Sequence, residues 1–381
     1  MKSSSSAHQL ELFDLLRGVA ILLVFGYHWH IHTLTDSFPV TSQFIFNEPI
    51  TFTKLYNTFS PLAFGHVGVQ LFLVISGFLI HYSYLRKGEI FDGREFFSRR
   101  FWRIYPPYIL VLLFFVIINY YQSKYYLTDP VGRESLFSHL FMIHNLSGDS
   151  RIIFGINSSF WSIALEVQLY LLYPLFLYLR KKWNIYNLCW VLFIWHIVSI
   201  SYLYYTQSHK LSEIAFVAHS WIIWALGALV AENYYHQKRT LKISDPAILL
   251  CILIFIVSKV FLNLFAYLSF LLAAILFTII IDRLLFSSFL YNKKYQRIEK
   301  FIIYIGLCSY SVYLIHQPIL GTLIDMINTL NVNYYFKTLL SLLLPFSIIF
   351  SLSYLLYLFV ELKSIQVGYF ISSKVSKRKR V

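Results

Sequence analysis

FDLLRGVAILLVFGYH, residues 13–28, sets an aspartate, an arginine and a histidine into an otherwise apolar run. Runs of about 18 to 25 apolar residues are long enough to cross the ~30 Å hydrocarbon core of a bilayer. Glu11 and Asp14 sit at the start of this run and no small-residue cleavage site follows it, so it is expected to remain as a first helix, not to be removed as a signal peptide. Arg17 and His28 are 11 residues apart, almost three whole turns, which puts them on one helical face about 16 Å apart along the axis. Ionisable groups at membrane depth are costly, which makes them functional candidates. A guanidinium suits phosphate, and a neutral imidazole suits taking a proton from a hydroxyl near neutral pH. Taken alone, the plainer reading carries equal weight: Arg17 snorkels and His28 is hydrogen-bonded between helices. His30 and His32 complete an H-x-H-x-H run, but on a helix His30 points away from the other two and no carboxylate partner is evident. No metal is expected there.

Outward from this segment, composition points the same way. The 381 residues are 58% hydrophobic and only 13% charged, with a mean hydropathy of +0.61, which excludes a soluble domain of this length. Apolar runs place helices near 13–33, 62–85, 101–121, 159–180, 185–206, 214–234, 246–262, 264–287, 301–324 and 336–360. The fold expected is an all-α polytopic bundle of about ten transmembrane helices with both termini cytoplasmic. Residues 1–12 form a cytoplasmic segment, 13–360 the membrane domain and 361–381 a basic cytoplasmic tail. Only a tight turn near Asn263 separates the seventh and eighth helices, and 35–60 and 122–157 are the two long outside loops. In the second, the apolar stretch Leu136 to Leu146 suits a position flat on the membrane surface.

With the N-terminus cytoplasmic, 25 of the 32 Lys and Arg fall on the inner side and 7 on the outer, as the positive-inside rule requires. The net charge of +14 is thereby explained by topology, the tail Lys377 to Arg380 included, and no nucleic-acid partner is implied. Cys189, Cys251 and Cys308 lie in separate apolar segments without metal or disulfide spacing and read as packing residues.

Three further segments carry chemistry. Arg99, Arg100 and Arg103 cluster at the cytoplasmic start of the third helix beside Trp102 and Tyr105, a combination suited to the phosphates and base of a nucleotide-like donor. Glu166 lies about two turns into the fourth helix from the outer surface, at a depth comparable to that of His28, which leaves the two able to meet. Ser309 and His316, seven residues apart, share one face of the ninth helix and read as part of a polar interhelical seam.

Together these segments resemble the acyltransferase-3 family of integral membrane acyltransferases. The resemblance rests on FDLLRGVAILLVFGYH (13–28), GVQLFLVISGFLI (68–80), RRFWRIYPPY (99–108), FWSIALEVQLYLLYP (160–174) and SYSVYLIHQP (309–318), in the family's order. The family's arginine–histidine pair falls on Arg17 and His28, its R-x-x-R on Arg100 and Arg103, and its helix-four acid on Glu166. Gln70, Val167 and Leu169 depart from the residues common at those places. The resemblance implies a multi-pass protein of the inner (cytoplasmic) cell membrane that moves an acyl group, acetyl first among them, from acyl-CoA to a hydroxyl of a surface carbohydrate or lipid-linked glycan. Acyl-CoA is then a co-substrate and no tightly bound cofactor is expected. His28 would serve as general base with Glu166 in support, and Arg17, Arg99, Arg100 and Arg103 would hold the donor. Direct transfer and a covalent acyl-enzyme through His28 or Ser309 both remain open. A transporter or flippase for lipid-linked sugars is the alternative from another class.

The charge asymmetry predicts ten spans with both termini inside. Reporter fusions at each loop check this, and an extracytoplasmic C-terminus would mean that the seventh and eighth helices are wrongly divided.

Overall fold

The computed structural model describes residues 2–34, 60–123, 125–206, 209–239, 244–261, 266–287 and 296–378. These residues form helices and turns, with no strand among them, consistent with a backbone that satisfies its own hydrogen bonds in lipid. Helix α1 covers Lys2–Leu34; a 3-10 turn at Pro61–Val67 leads into α2, Gly68–Arg86. Next come α3 (Gly93–Ser123), α4 (Pro130–Leu140), α5 (Trp161–Thr206) and α6 (His209–Tyr235). The remainder are α7 (Asp245–Phe261), α8 (Ala266–Leu285), α9 (Gln296–Leu307), α10 (Ser309–Asn328), α11 (Tyr334–Leu356) and α12 (Leu362–Arg378). Every helix read from the apolar runs has a counterpart. The turn near Asn263 and the loop at 35–59 lie outside the described residues. By length and composition four helical stretches can cross a membrane, Leu62–Arg86, Gly93–Asn119, Trp161–Tyr202 and Tyr334–Ser373, or five if the bent pair α9–α10 counts as one span.

The helix boundaries have local causes. Asp92 Oδ1 accepts the N–H groups of Arg94 and Glu95, so α3 starts a turn before the arginine cluster and carries Pro106 and Pro107 in its interior. Within α5, Asn184 stands at φ 60° and ψ 167°, outside both helical regions and costly for any residue but glycine, so the helix is broken there. Its Oδ1 accepts the Asn187 N–H at 3.0 Å and caps the second half, so the two helices expected here are present and meet at this break.

One expectation needs correction. The single helix expected over 301–324 is broken at Cys308, where α9 and α10 bend by 76°. Before the bend, α9 presses on α1: a Cβ on Gly306 would lie 1.8 Å from the Asp14 carbonyl oxygen, and one on Gly18 would lie 2.1 Å from that of Ile302. Backbones approach this closely only through small residues. After the last helix expected, a π turn at Tyr357–Glu361 passes into α12, which runs along α3, so the segment from 361 is helical as far as Arg378.

The segment around 122–157 is folded. Phe137, Phe141, Ile143 and Leu146 face outward while Ser135, His139, His144 and Asn145 are buried, the disposition that suits a stretch resting on a bilayer surface. Tyr108 and Tyr105 of α3 donate to the backbone carbonyls of His139 and Leu140 and tie the segment to the bundle. The His139 and His144 rings stack with centroids 3.8 Å apart and planes 5° from parallel. His139 Nδ1 donates to the Ser135 carbonyl at 2.7 Å. Burial pushes His139 down to about 4, and burial plus its neighbour hold His144 well below the ordinary histidine range.

Both rings are therefore neutral in the folded state, and the stability this confers is fully present above about pH 6.5 and is lost as pH falls toward 4. His139 alone accounts for on the order of 3 kcal/mol at pH 4. Thermal unfolding in detergent should show a falling midpoint between pH 7 and pH 5, and His144→Phe, which keeps a stacked ring that cannot protonate, should flatten that slope.

Candidate active site

An internal cavity of about 280 Å³ opens between α1, α2, α3, α5 and α10. Arg17, Arg100, Arg103, Glu166, Tyr170, Ser162, Ser309 and Tyr313 are among its lining residues. Arg100 and Arg103 face it together because three residues on α3 make nearly one turn. The Arg100 guanidinium lies 5.3 Å from the Tyr170 ring centroid and 5.6 Å from that of Phe96, positions suited to cation–π attraction. Its Nε has no hydrogen-bond partner. Arg17 donates to Asp14 at 2.8 Å. Ser309 reaches the cavity because the bend at Cys308 brings the first turn of α10 to its wall.

Four of the six residues singled out from the sequence thus share one cavity. Arg99, one position round the helix from Arg100, does not line it. Its guanidinium pairs with Glu95 at 2.6 Å, donates to Ser372 at 3.1 Å and lies 4.6 Å from the Tyr369 ring centroid. It lines instead a smaller cleft of about 60 Å³ with Lys87, Phe91 and Phe96, which Arg100 also borders.

No hydrogen bond or ion pair joins His28 and Glu166 in the described structure. The Glu166 carboxylate accepts from Tyr170, one turn along its own helix, while the His28 ring lies 5.1 Å from that of His316. Between them, Ser162 and Tyr313 share a 2.6 Å hydrogen bond across the end of the cavity away from the arginines. Glu166 is a turn past Ser162 along α5 and His316 a turn past Tyr313 along the oppositely directed α10, so the helical rise separates the two levels by about 10 Å. Comparable depths were legible in the helical intervals; the intervening layer was not.

His316, read from the sequence as part of a seam, adjoins His28. Its Nδ1 donates to the Tyr313 carbonyl at 2.9 Å, which leaves Nε2 as the bare, acceptor nitrogen, and that atom is buried without a partner. His30 is buried on another face of α1, and His32 packs beside Gly321. Among the described residues no three His, Cys, Asp or Glu are grouped to hold a metal ion.

A second polar network escaped the sequence reading. Buried His81 contacts the Tyr173 hydroxyl at 3.2 Å and Glu232 at 3.4 Å, and Arg180 joins Glu232 to Glu89. Hydrogen bonds from Arg180 hold the Glu89 carboxyl below its usual range. This chain ties α2, α5 and α6 to the loop before α3 beside the cavity. The signals were single charges, Arg180 and Glu232, at the ends of apolar runs, where topology alone accounts for them.

Comparison with known proteins covers the same elements. Residues 11–358 match the family model described as an acyltransferase domain. The peptidoglycan O-acetyltransferase OatA of Listeria monocytogenes is 25% identical over 67% of this chain and 45% of its own length. The O-acetyltransferase OatA of Staphylococcus aureus is 28% identical over 68% of this chain and 46% of its own. The acyltransferase MdmB of Streptomyces mycarofaciens is 26% identical over 46% of this chain and 41% of its own. The chain therefore spans less than half the length of these relatives, and no solved structure matches it. With the family model covering nearly the whole chain and a helical bundle that gathers the motif arginines around one cavity, this multi-pass membrane protein belongs to the acyltransferase-3 family.

Proposed function

We propose that this protein transfers an acyl group, acetyl in the first instance, from acyl-CoA to a hydroxyl of a bacterial surface carbohydrate at the cytoplasmic membrane. The observation that carries the reading is the convergence of Arg17, Arg100 and Arg103 on one cavity whose far end lies under the His28–His316 pair. Guanidiniums bind phosphate through paired, charge-assisted hydrogen bonds. The cleft that Arg100 shares with Lys87 and Arg99 suits the nucleotide end of the donor, and the cavity suits its pantetheine arm. The names of the relatives support an acetyl group and a glycan acceptor.

In the reaction, His28 Nε2 or Nδ1 takes the proton of the acceptor hydroxyl as its oxygen attacks the thioester carbonyl. The C–S bond then breaks, the new ester leaves, and the proton passes from His28 to the departing thiolate. For the thioester to reach His28, the Ser162–Tyr313 bond has to open or the acyl end has to pass beside it. Glu166, paired with Tyr170 beneath that layer, acts in this reading on the arginine end of the cavity and not on the imidazole. Membranes supplied with radiolabelled acyl-CoA and cellular glycan test the whole: label in glycan supports transfer, and glycan that stays unlabelled overturns it.

Arg100→Ala and Arg103→Ala are each expected to cost about 1.5 to 3 kcal/mol of donor binding, or roughly ten- to a hundredfold in affinity. Titration of folded, purified variants with acyl-CoA measures this, and unchanged affinity in both would reduce the cluster to a topology signal.

His28→Ala is expected to slow transfer by about a hundredfold to ten-thousandfold while donor binding persists. Loss of an interhelical hydrogen bond alone costs only about 1 kcal/mol. Rates, thermal stability and acyl-CoA binding measured together separate the two roles. Folded His28→Ala protein that retains more than about a tenth of the wild-type rate rules out the general base.

A further inference from the structure

The polar layer between the arginines and the histidine pair is built where α5 and α10 meet. Just before α5, Asn157 donates to the Leu314 carbonyl of α10 at 2.8 Å, and its Oδ1 accepts the Ser159 N–H at 3.0 Å and the Ser159 hydroxyl at 2.7 Å. Ser159 Oγ also lies 3.3 Å from the Tyr313 carbonyl oxygen, which receives His316 Nδ1–H at 2.9 Å. Asn157 and Ser159 are both buried. These bonds fix the start of α5 against the second turn of α10, and so set Ser162 Oγ and the Tyr313 hydroxyl 2.6 Å apart.

Asn157 and Ser159 already tie the two helices together, so the Ser162–Tyr313 bond adds little as a fastening. Its place is more telling. Both side chains line the arginine cavity. On its other side the Tyr313 ring lies 5.4 Å from that of His316, which is 5.1 Å from His28, and Phe72 packs edge-on at 6.2 Å. Each hydroxyl has one proton to donate. Ser162 spends its own on a 3.3 Å bond to the Ser159 carbonyl, long for an O–H donor, while the Tyr313 O–H completes the pair. A thioester held by its phosphates at the arginines has to bring its carbonyl to this layer to meet a nucleophile at His28.

We propose that the Tyr313 and Ser162 hydroxyls are catalytic groups, the two donors that stabilise the oxyanion formed on the transferring acyl group. The role rests on the acyl-CoA reading above. As His28 takes the proton of the acceptor hydroxyl, the acceptor oxygen bonds to the thioester carbon and the carbonyl π electrons move onto its oxygen. That oxygen accepts from Tyr313 and Ser162, whose mutual bond opens. The carbonyl then re-forms, the C–S bond breaks, and the thiolate leaves with the proton from His28. Donors fixed in advance in a water-excluded site need no reorganisation as charge develops.

Wild type, Tyr313→Phe, Ser162→Ala and Ser162→Thr are compared for transfer from acetyl-CoA to cellular glycan, for acetyl-CoA binding and for thermal midpoint. Tyr313→Phe and Ser162→Ala should each lower kcat about a hundredfold to a thousandfold, the loss expected for one oxyanion donor, with acetyl-CoA affinity within about twofold of wild type. Ser162→Thr, which keeps the hydroxyl, should transfer within about tenfold of wild type; a threonine variant as slow as the alanine one overturns the part of Ser162. If the pair were only a gate, Tyr313→Phe would open it and transfer as fast as wild type or faster, which overturns the proposal. Rate and donor affinity that fall together with a lowered midpoint mean damage to the bundle and also overturn it. Should Ser162→Ala not fold, Tyr313→Phe, which keeps the ring packing, decides; if neither folds, the bond is structural and the proposal fails. Wild-type protein that moves no label refutes the acyl-CoA reading and this role with it, whereas active wild type with undiminished variants refutes this role alone.

Discussion

Three guanidiniums facing one internal cavity set the terms for the rest of the bundle. Inside a low-dielectric interior, like charges brought together repel strongly and each must be balanced by an acid, a ring face or an incoming anion. The described structure meets part of this demand by two different means: Asp14 bonds Arg17, and the Tyr170 and Phe96 rings flank Arg100. A site balanced in this way is ready for a polyanion, because bound phosphates supply what the apolar wall cannot.

The cavity exists because several helices are irregular where they meet it. The bend at Cys308 brings Ser309 to the wall, and the π turn ends on Glu361, which is buried and accepts from Ser311. Against these breaks, glycine crossings fix position. Gly18 and Gly306 let α1 and α9 touch through their backbones, and Gly77 and Gly227 do the same for α2 and α6, where added Cβ atoms would lie 2.0 Å from the Trp224 and Val74 carbonyl oxygens. A side chain at any of these four positions would push apart helices that carry cavity residues.

Along the cavity the chemistry is layered. Charge lies at the Arg17–Arg100–Arg103 end, a hydroxyl pair formed by Ser162 and Tyr313 closes the other end, and the two histidines stand beyond. Separating a phosphate-binding end from an imidazole by a length of apolar channel suits a donor whose anionic and reactive ends are far apart, and it keeps the imidazole away from the guanidiniums that would disfavour its protonation.

The residues themselves determined much of this: apolar runs specify helices in lipid, charge asymmetry orients them, and the 11-residue interval puts Arg17 and His28 on one face of α1 through helical geometry alone. Those are short-range or solvent-driven effects, legible one segment at a time. Tertiary structure decided the partners. It separated Glu166 from His28 by the Ser162–Tyr313 layer, gave His28 a neighbour in His316, turned Arg99 onto α12, and buried Glu361 against Ser311 although it ends an apolar run and reads as the start of a tail. Each of these depends on the rotation and offset of helices that are distant in sequence, and a shift of one residue by a π turn or a bend at one cysteine changes which side chains meet. Periodicity places a side chain on its own helix; only packing decides what it faces.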